Sequence, residues 1–289
     1  MAGTAPEGSE GAAFDRTPEA AWSRGRSLFQ AVGTALVLLG LLALSYALGT
    51  NAFFILICVV VLVALFEAFD GLRQAGHLPV TPIGLAAGAG MLVAVFLKRP
   101  AWLLVVLAAT VYGAFTAALR PGRGRSASSD AAWTLLAVAW IAGGGAAATA
   151  ILVLDAGRSL LVAFVLVAAL DDIGAYFVGT RFGRHKVAPS ISPGKSWEGL
   201  FGGTVLALLG GLVVGALFDD LGAVEGLGLA SVCALLVPVG DLVESLFKRE
   251  IGVKDSGRLL PGHGGFLDRL DAIIFCAPAA YLYLRLFTT

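Results

Sequence analysis

The densest group of residues able to do chemistry lies near the C-terminus, in the segment KDSGRLLPGHGGFLDRLD at 254–271. Six of its eighteen residues are Lys, Arg or Asp, and they accompany a Gly264-Gly265 pair. Cationic side chains neutralise phosphate oxygens, and glycines let backbone N–H groups approach an anion closely. Asp268 and Asp271 lie one helical turn apart, where a divalent cation can bind both. The segment therefore favours a site for a metal–phosphate complex.

The basic residues of this segment are candidates to contact phosphate oxygens. They are Lys254, Arg258 and Arg269. His263 stands between glycines, where it suits the shaping of a loop as well as the transfer of a proton. The pattern leaves both roles open for the histidine.

A second polar group interrupts the preceding apolar stretch, in VPVGDLVESLFKRE. Asp241, Glu244, Ser245 and Lys248 recur at i, i+3, i+4 and i+7, so a helix places them on one face. Charges at the end of a spanning helix can simply extend toward water. That alternative suits Lys248 and Arg249 better than Asp241. An ionisable residue inside a spanning helix indicates function by default.

Two further polar features lie upstream. The stretch AALDDIGAYF places Asp171 and Asp172 inside an apolar run. The loop RFGRHKVAPSISPGKSWEG contains Lys195 next to Ser196, and its PGKS is similar to the end of a phosphate-binding P-loop. Pro189 occupies the position of the first glycine that this motif requires, so a P-loop is rejected. What remains is a basic, turn-rich loop; a loop that is basic only because of membrane topology is the alternative.

The elements that must position these residues are apolar helices. The 289-residue chain is 58% hydrophobic and only 14% charged, with a mean hydropathy of +0.87, whereas soluble domains are about 25% charged. Its formal net charge is zero, which argues against nucleic-acid binding. Cys58, Cys233 and Cys276 are far apart in apolar runs, so we expect ordinary buried cysteines. We predict an all-α, polytopic integral membrane protein.

Nine apolar stretches predict about nine transmembrane helices. They lie near 29–48, 50–66, 81–97, 100–119, 132–153, 158–179, 198–218, 226–247 and 270–287. Glycine and alanine crowd 86–90 and 142–150, which predicts close helix packing. Residues 1–28 are polar and rich in Gly, Ala, Glu, Pro and Ser, so we expect a disordered cytoplasmic tail before the membrane domain 29–289.

The distribution of basic residues predicts the orientation. With the N-terminus in the cytoplasm, sixteen of the twenty basic residues fall on the cytoplasmic side. The four on the opposite side are Lys98, Arg99, Arg158 and Arg285. The polar loops at 180–197 and 248–269 are then cytoplasmic.

The C-terminal third resembles the phosphatidate cytidylyltransferase (CDP-diacylglycerol synthase) family. The stretch SLFKREIGVKDSGRLLPGHGGFLDRLD at 245–271 is similar throughout to the signature of that family. The segments DDIGAYFVGTRFGRHKVAPSISPGKSWEG and PVGDLVES resemble two further parts of it. Together these segments cover roughly the C-terminal 120 residues. The N-terminal half is similar to the family only in consisting of several spans.

The resemblance implies that CTP and phosphatidic acid give CDP-diacylglycerol and pyrophosphate. It implies a Mg²⁺-dependent site, formed mainly by 171–271 and facing the cytoplasm, in a multi-pass homodimer of the inner (plasma) membrane; the binding of a second cation stays open. The implied metal ligands are Asp241 and Asp268, with Asp172, Glu244 and Asp271 as further candidates. The implied catalytic residues are Asp241, Asp268, Lys248, Lys254 and Arg269. The implied substrate-binding residues are Lys195, Ser196, Ser245, Arg249, Arg258, His263, Gly264 and Gly265.

Four other functions would account for parts of the sequence. A secondary transporter would have inverted repeats and polar groups near the bilayer midplane, whereas here no repeat is visible and the polar residues crowd one side. A CDP-alcohol phosphotransferase is rejected because FDGLR at 69–73 supplies only the beginning of its pattern. A non-catalytic scaffold does not explain the intact signature. An enzyme acting on an isoprenoid ether lipid would share much of the signature and stays open.

Overall fold

The structure is a computed structural model of the chain and describes residues 33, 36–37, 39–119, 127–252 and 265–288. The expected disordered tail at 1–28 lies outside these residues. In the described part the chain forms nine helical segments. These are α1 (Leu39–Leu48), α2 (Thr50–Gln74), α3 (Thr81–Phe96), α4 (Pro100–Ala118), α5 (Ala127–Leu152), α6 (Gly157–Phe182), α7 (Trp197–Leu217), α8 (Ala223–Glu250) and α9 (Leu267–Phe287).

Two local features interrupt this helical pattern. A π-helical turn at Val138–Ala142 lies inside α5. Two short antiparallel strands, β1 (Lys186–Ala188) and β2 (Ser192–Ser196), form a hairpin between α6 and α7. The hairpin occupies the polar loop that was predicted at 180–197.

The helices confirm an all-α, polytopic membrane protein. Of the helices in the described ranges, seven are long and apolar enough to cross a bilayer, whereas α1 and α3 are shorter. Each predicted stretch overlaps one helix, but membrane crossing by α1 and α3 stays a prediction. Helix α2 extends well beyond its predicted end at 66, because Glu67, Asp70 and Arg73 continue the helix with polar side chains.

The outer surface of the bundle is apolar, as a lipid-facing surface must be. Large hydrophobic side chains are more than two-thirds exposed on several helices, among them Leu104, Phe201 and Leu235. The buried positions include small residues and carboxylates as well as aliphatic side chains. The buried carboxylates are thus enclosed by the bundle, and apolar side chains face outward.

The bundle has two ends, which contacts between helices identify. The N-terminus of α9 lies beside the last third of α2, where Leu267 N donates to Glu67 Oε2 at 3.0 Å. The start of α6 lies beside the end of α1, where Arg158 Nη1 donates to the Tyr46 carbonyl oxygen at 2.9 Å. The candidate residues at the ends of α6 and α8 and the start of α9 therefore share the first of these ends.

Glycines let the helices approach closely. A Cβ on Gly174 of α6 would lie 2.6 Å from the carbonyl oxygen of Gly202 on α7. Gly88 of α3 packs against Leu65 of α2, and Gly145 of α5 packs against Val61 of the same helix. The predicted packing role of the small residues at 86–90 and 142–150 is confirmed.

Two neighbouring glycines of α5 provide a test of this packing. A Cβ at Gly144 would overlap the backbone of Ile274 on α9, whereas nothing lies within 4 Å of a Cβ at Gly143. We expect Gly144→Ala to lower the unfolding temperature in detergent, by roughly 2–4 °C for each kcal/mol lost. Gly143→Ala should leave it unchanged or raise it, because alanine favours a helix over glycine by about 1 kcal/mol. Equal melting of the two variants would contradict the packing role.

Candidate active site

The hairpin and the start of α7 form a fixed frame at one side of the site. Ser196 caps α7, because its Oγ accepts the N–H of Gly199 at 3.2 Å. Glu198, in the first turn of α7, accepts the backbone N–H groups of Arg184 and His185 at 3.1 and 3.2 Å. The His185 ring also contacts this carboxylate at 2.6 Å. These contacts hold β2, and with it Lys195, against the end of α6.

A cavity of about 470 Å³ lies between this frame and helices α6, α8 and α9. It is lined by five carboxylates, two cationic side chains and several small or polar residues. Its lining comprises Asp171, Asp172, Ala175, Tyr176, Gly179, Thr180, Gly194, Lys195, Ser196, Gly199, Leu200, Pro238, Asp241, Asp268, Arg269 and Asp271. The cavity thus collects charges of both signs from three helices and the hairpin.

Lys195 links the hairpin to α8. Its ammonium group forms an ion pair with Asp241 and donates to the carbonyl oxygen of Pro238 at 3.3 Å. Both contacts lie within one helical turn of α8. Lys195 therefore balances the charge of Asp241, which is partly exposed toward the cavity.

Lys248 links α8 to α9 beside the cavity. Its Nζ lies 2.6 Å from Glu244 Oε2 and 3.0 Å from Asp268 Oδ1. The second oxygen of Asp268 accepts the backbone N–H of Gly265 at 2.8 Å. Glu244 and Lys248 are one turn apart on α8, as the i, i+4 spacing predicted. Asp268 is therefore oriented by a lysine on one oxygen and by the backbone on the other.

Gly240 brings the carboxylates of α8 and α9 together. A Cβ at this position would lie 2.9 Å from Ala272 Cα and 2.8 Å from Phe275 Cβ. A larger residue would therefore push α9 away from α8. Asp241 follows this contact on α8, and the buried Asp271 precedes it on α9. Helix α8 continues without interruption through Pro238.

The carboxylates of the cavity offer the oxygen ligands that a divalent metal ion prefers. Asp171 is 1% exposed and lines the cavity, and its Oδ1 has no hydrogen-bond partner among the described residues. An unpartnered buried carboxylate oxygen suits a hard cation such as Mg²⁺. In the arrangement described, no three Asp, Glu, His or Cys side chains are grouped to hold one ion. The donor chemistry fits a divalent cation, and lysine ammonium groups contact Asp241, Glu244 and Asp268.

The structure brings together part of the predicted site. The predicted residues that line the cavity are Asp172, Lys195, Ser196, Asp241, Asp268, Arg269 and Asp271. Three more predicted residues lie beside the lining and contact it indirectly. Lys248 contacts both Asp268 and Glu244, and the backbone N–H of Gly265 donates to Asp268. Arg249 instead donates to the carbonyl oxygen of Ile191 at the hairpin turn, at 3.3 Å. Ser245 is half-buried on α8, outside the lining. Lys254, Arg258, His263 and Gly264 lie outside the described residues.

Sequence reasoning missed Tyr176 and Thr180, which line the cavity with Asp172. The three residues follow one another at intervals of four, so they share one face of α6. This spacing is legible in DDIGAYFVGT. The signal was available but was not applied to uncharged residues.

Glu67 was also missed, although it is a 3% exposed carboxylate in the last third of the mostly apolar helix α2. Its Oε2 accepts the N–H of Leu267, the first residue of α9. The partial positive charge of a helix N-terminus favours such a carboxylate. Glu67 therefore fixes the start of the helix that carries Asp268, Arg269 and Asp271. The rule that identified the buried aspartates also applies to Glu67.

Comparison with known proteins places this chain in a family. The sequence profile of the cytidylyltransferase family matches residues 29–287. This chain belongs to the cytidylyltransferase family. The match covers the N-terminal half as well as the C-terminal signature, so the cytidylyltransferase resemblance inferred from the sequence is confirmed and extended.

Individual relatives agree with the family assignment. The chain is 31% identical over 280 residues to a phosphatidate cytidylyltransferase of Mycobacterium leprae. The alignment covers 91% of this chain and 89% of that protein. It is 47% identical over 131 residues to a phosphatidate cytidylyltransferase of Haemophilus influenzae. It is 45% identical over 130 residues to the protein YnbB of Escherichia coli. These two shorter alignments span less than half of either chain.

The anchoring role of Glu67 can be tested in this cytidylyltransferase. Glu67→Ala leaves the Leu267 N–H buried without its acceptor, which costs about 1–3 kcal/mol. We expect kcat to fall by roughly tenfold or more, because Asp268 and Arg269 are no longer held in place.

Glu67→Gln is the matched control, because its amide oxygen still accepts the N–H of Leu267. It should retain most of the activity at unchanged KM. A Glu67→Ala protein that keeps wild-type kcat would show that α9 is positioned without this contact.

Proposed function

We propose that this chain is a phosphatidate cytidylyltransferase, which converts CTP and phosphatidic acid into CDP-diacylglycerol and pyrophosphate. The names of its relatives in Mycobacterium leprae and Haemophilus influenzae support the substrates. The observation that carries the proposal is the cavity in which Asp171, Asp172, Asp241, Asp268 and Asp271 meet Lys195 and Arg269. A nucleotide triphosphate and a lipid phosphate both require such compensating charges.

In the proposed reaction, a phosphate oxygen of the lipid forms a bond to the α-phosphorus of CTP. The bond between this phosphorus and the oxygen that bridges to the β-phosphate breaks, and pyrophosphate leaves with its electron pair. The attacking oxygen is already anionic, so little general-base assistance is needed. The main barriers are alignment and the repulsion between two anionic substrates.

The cationic side chains of the site reduce the repulsion between the two anionic substrates. Lys195 is held over the cavity by the hairpin, and Arg269 lines it from the first turn of α9. We propose that both contact substrate phosphates, and that Lys248 keeps Asp268 oriented. Lys254 and Arg258 are proposed to extend this set of phosphate contacts, together with His263 and the backbone of Gly264.

We propose a Mg²⁺ ion as cofactor, held by Asp241 and Asp268 with Asp172, Glu244 or Asp271. The unpartnered oxygen of the buried Asp171 supports a cation at this place and adds Asp171 to the candidate ligands, among which the family resemblance implied only its neighbour Asp172. When bound, the ion neutralises negative charge on the triphosphate and on the leaving pyrophosphate. The protein side chains supply the remaining orientation.

The multi-pass helices place the enzyme in a membrane. We propose that the cavity faces the cytoplasm, because the positive-inside rule assigns sixteen of the twenty basic residues to that side. CTP would then enter from the cytosol, and phosphatidic acid would enter sideways from the inner leaflet. The family resemblance also supports a homodimer in the inner membrane of a bacterium.

The first test is pyrophosphate release by the purified protein in detergent with CTP, phosphatidic acid and Mg²⁺. We expect release to require both substrates. Asp268→Asn and Asp241→Asn should each reduce the rate by at least about a hundredfold, because each removes a charge that orients a cation at the reacting phosphates.

Asp219→Asn is the control, since Asp219 is exposed beyond α7 at the other end of the bundle. It should keep the wild-type rate. If folded wild-type protein releases no pyrophosphate with any lipid phosphate, the enzyme proposal fails, and transport assays come next.

Removal of divalent cations tests the metal proposal separately. We expect EDTA to abolish pyrophosphate release and excess Mg²⁺ to restore it. The unfolding temperature should change little, because Lys195 and Lys248 already balance the carboxylates in the ion-free protein. Full activity after exhaustive chelation would contradict a Mg²⁺ cofactor.

A further inference from the structure

A second charged cavity lies at the end of the bundle opposite to the candidate active site. Its volume is about 950 Å³, and it is bounded by α3, α5 and α9 and by the turn between α3 and α4. Lys98, Arg99 and Arg285 line it, together with the carboxylate of Asp155. Arg285 lies near the C-terminus of α9, whereas the first cavity lies at the N-terminus of that helix.

The gathering of basic residues at this end is unusual for the chain. Only four of the twenty Lys and Arg residues fall on this side of the predicted spans, and three of the four line the one cavity. The positive-inside rule acts against basic residues here. Their convergence therefore needs an explanation other than topology, and charge complementarity to an anion supplies one.

The side chains are placed to receive an anion. Lys98 and Arg99 are exposed in a short turn and form no ion pair with any residue in the described ranges. Arg285 Nη1 donates to Tyr281 Oη at 3.0 Å, and Tyr281 also lines the cavity. Since this hydroxyl accepts from the arginine, its own proton can be donated to a further oxygen. Among the described residues that line this cavity, Asp155 carries the one negative charge, beside three positive ones.

The rest of the lining is apolar and lies along the helices. Met91 and Val95 of α3, Leu103 of α4 and Ala147 of α5 contribute to it. Helices α4 and α5 are long and apolar enough to cross a bilayer, and α3 is shorter but equally apolar. An occupant that fits both parts has an anionic head group and an apolar tail, which is the chemistry of a membrane phospholipid.

We propose that this cavity binds an anionic phospholipid of the leaflet opposite to the candidate active site. The head-group phosphate lies among Lys98, Arg99 and Arg285, and an acyl chain follows the apolar wall of α3 and α5. The inference rests on the second cavity alone and does not depend on the proposed reaction.

Native mass spectrometry of the full-length protein in detergent tests this site. The protein is titrated with phosphatidylglycerol or with phosphatidylcholine of the same acyl chains. We expect the wild type to bind the first phosphatidylglycerol at least about tenfold more tightly than the first phosphatidylcholine, since each basic residue near the membrane surface attracts anionic lipid. The triple variant Lys98→Gln/Arg99→Gln/Arg285→Gln should lose most of this preference.

Two matched variants locate the effect. Arg158→Gln removes a positive charge at the same end but outside the cavity, because Arg158 contacts the Tyr46 carbonyl. Arg269→Gln removes one from the other cavity. Both should keep the preference for phosphatidylglycerol. If the triple variant does not fold, the double variant Lys98→Gln/Arg99→Gln in the exposed turn replaces it in the test. We expect this variant to reduce the preference for phosphatidylglycerol over phosphatidylcholine by at least about threefold.

Three results would overturn the proposal. The first is a preference for phosphatidylglycerol that survives the triple or the double variant. The second is a preference lost equally in Arg269→Gln, which would move the lipid to the first cavity. The third is displacement of the lipid by millimolar inorganic phosphate, which would make the cavity a site for soluble anions.

Discussion

Charge balance inside the helix bundle is the constraint on which the site depends. Carboxylates within spanning helices are costly unless a cation or hydrogen-bond donor compensates them. Lys195 does this for Asp241, and Lys248 does it for Glu244 and Asp268. Lys195 comes from the hairpin, so the electrostatics of α8 depend on a polar structure outside it. This dependence explains why the loop before α7 is ordered by Glu198 and by the cap at Ser196.

The N-terminus of α9 is the second point at which charge and backbone geometry meet. The first N–H groups of a helix have no partners inside it. Here Glu67 accepts the N–H of Leu267, the first residue of α9, and Asp268 accepts the N–H of Gly265, two residues before the helix begins. One oxygen of Asp268 is thereby committed to the backbone and the other to Lys248. The orientation of Asp268 therefore depends on α2 and α8 together, which lie far from it in the sequence.

Much of this arrangement was predictable because its signals are local. Apolar runs gave the helices, and the i, i+3, i+4, i+7 spacing gave the face of α8 that carries Asp241, Glu244 and Lys248. The spacing cannot give the partner of each lysine, because partners depend on how helices approach one another. The contact of Lys195 with Asp241 crosses 46 positions of the chain, and that of Glu67 with Leu267 crosses 200. Such pairs follow from glycine contacts such as Gly240 against Ala272, whose geometry no local pattern specifies.

The N-terminal half contributes to the geometry of the site although its sequence contains no recognisable motif. Its helices resembled the family only in number, yet the family profile extends from 29 to 287. Helix α2 explains why this half belongs to the same unit. Its Val61 packs on Gly145 of α5, and its Glu67 holds the start of α9. Without α2, the N–H of Leu267 at the start of α9 would need another acceptor, because in a bilayer no water replaces a missing hydrogen-bond partner. The N-terminal helices therefore determine the geometry of carboxylates that they do not themselves contribute.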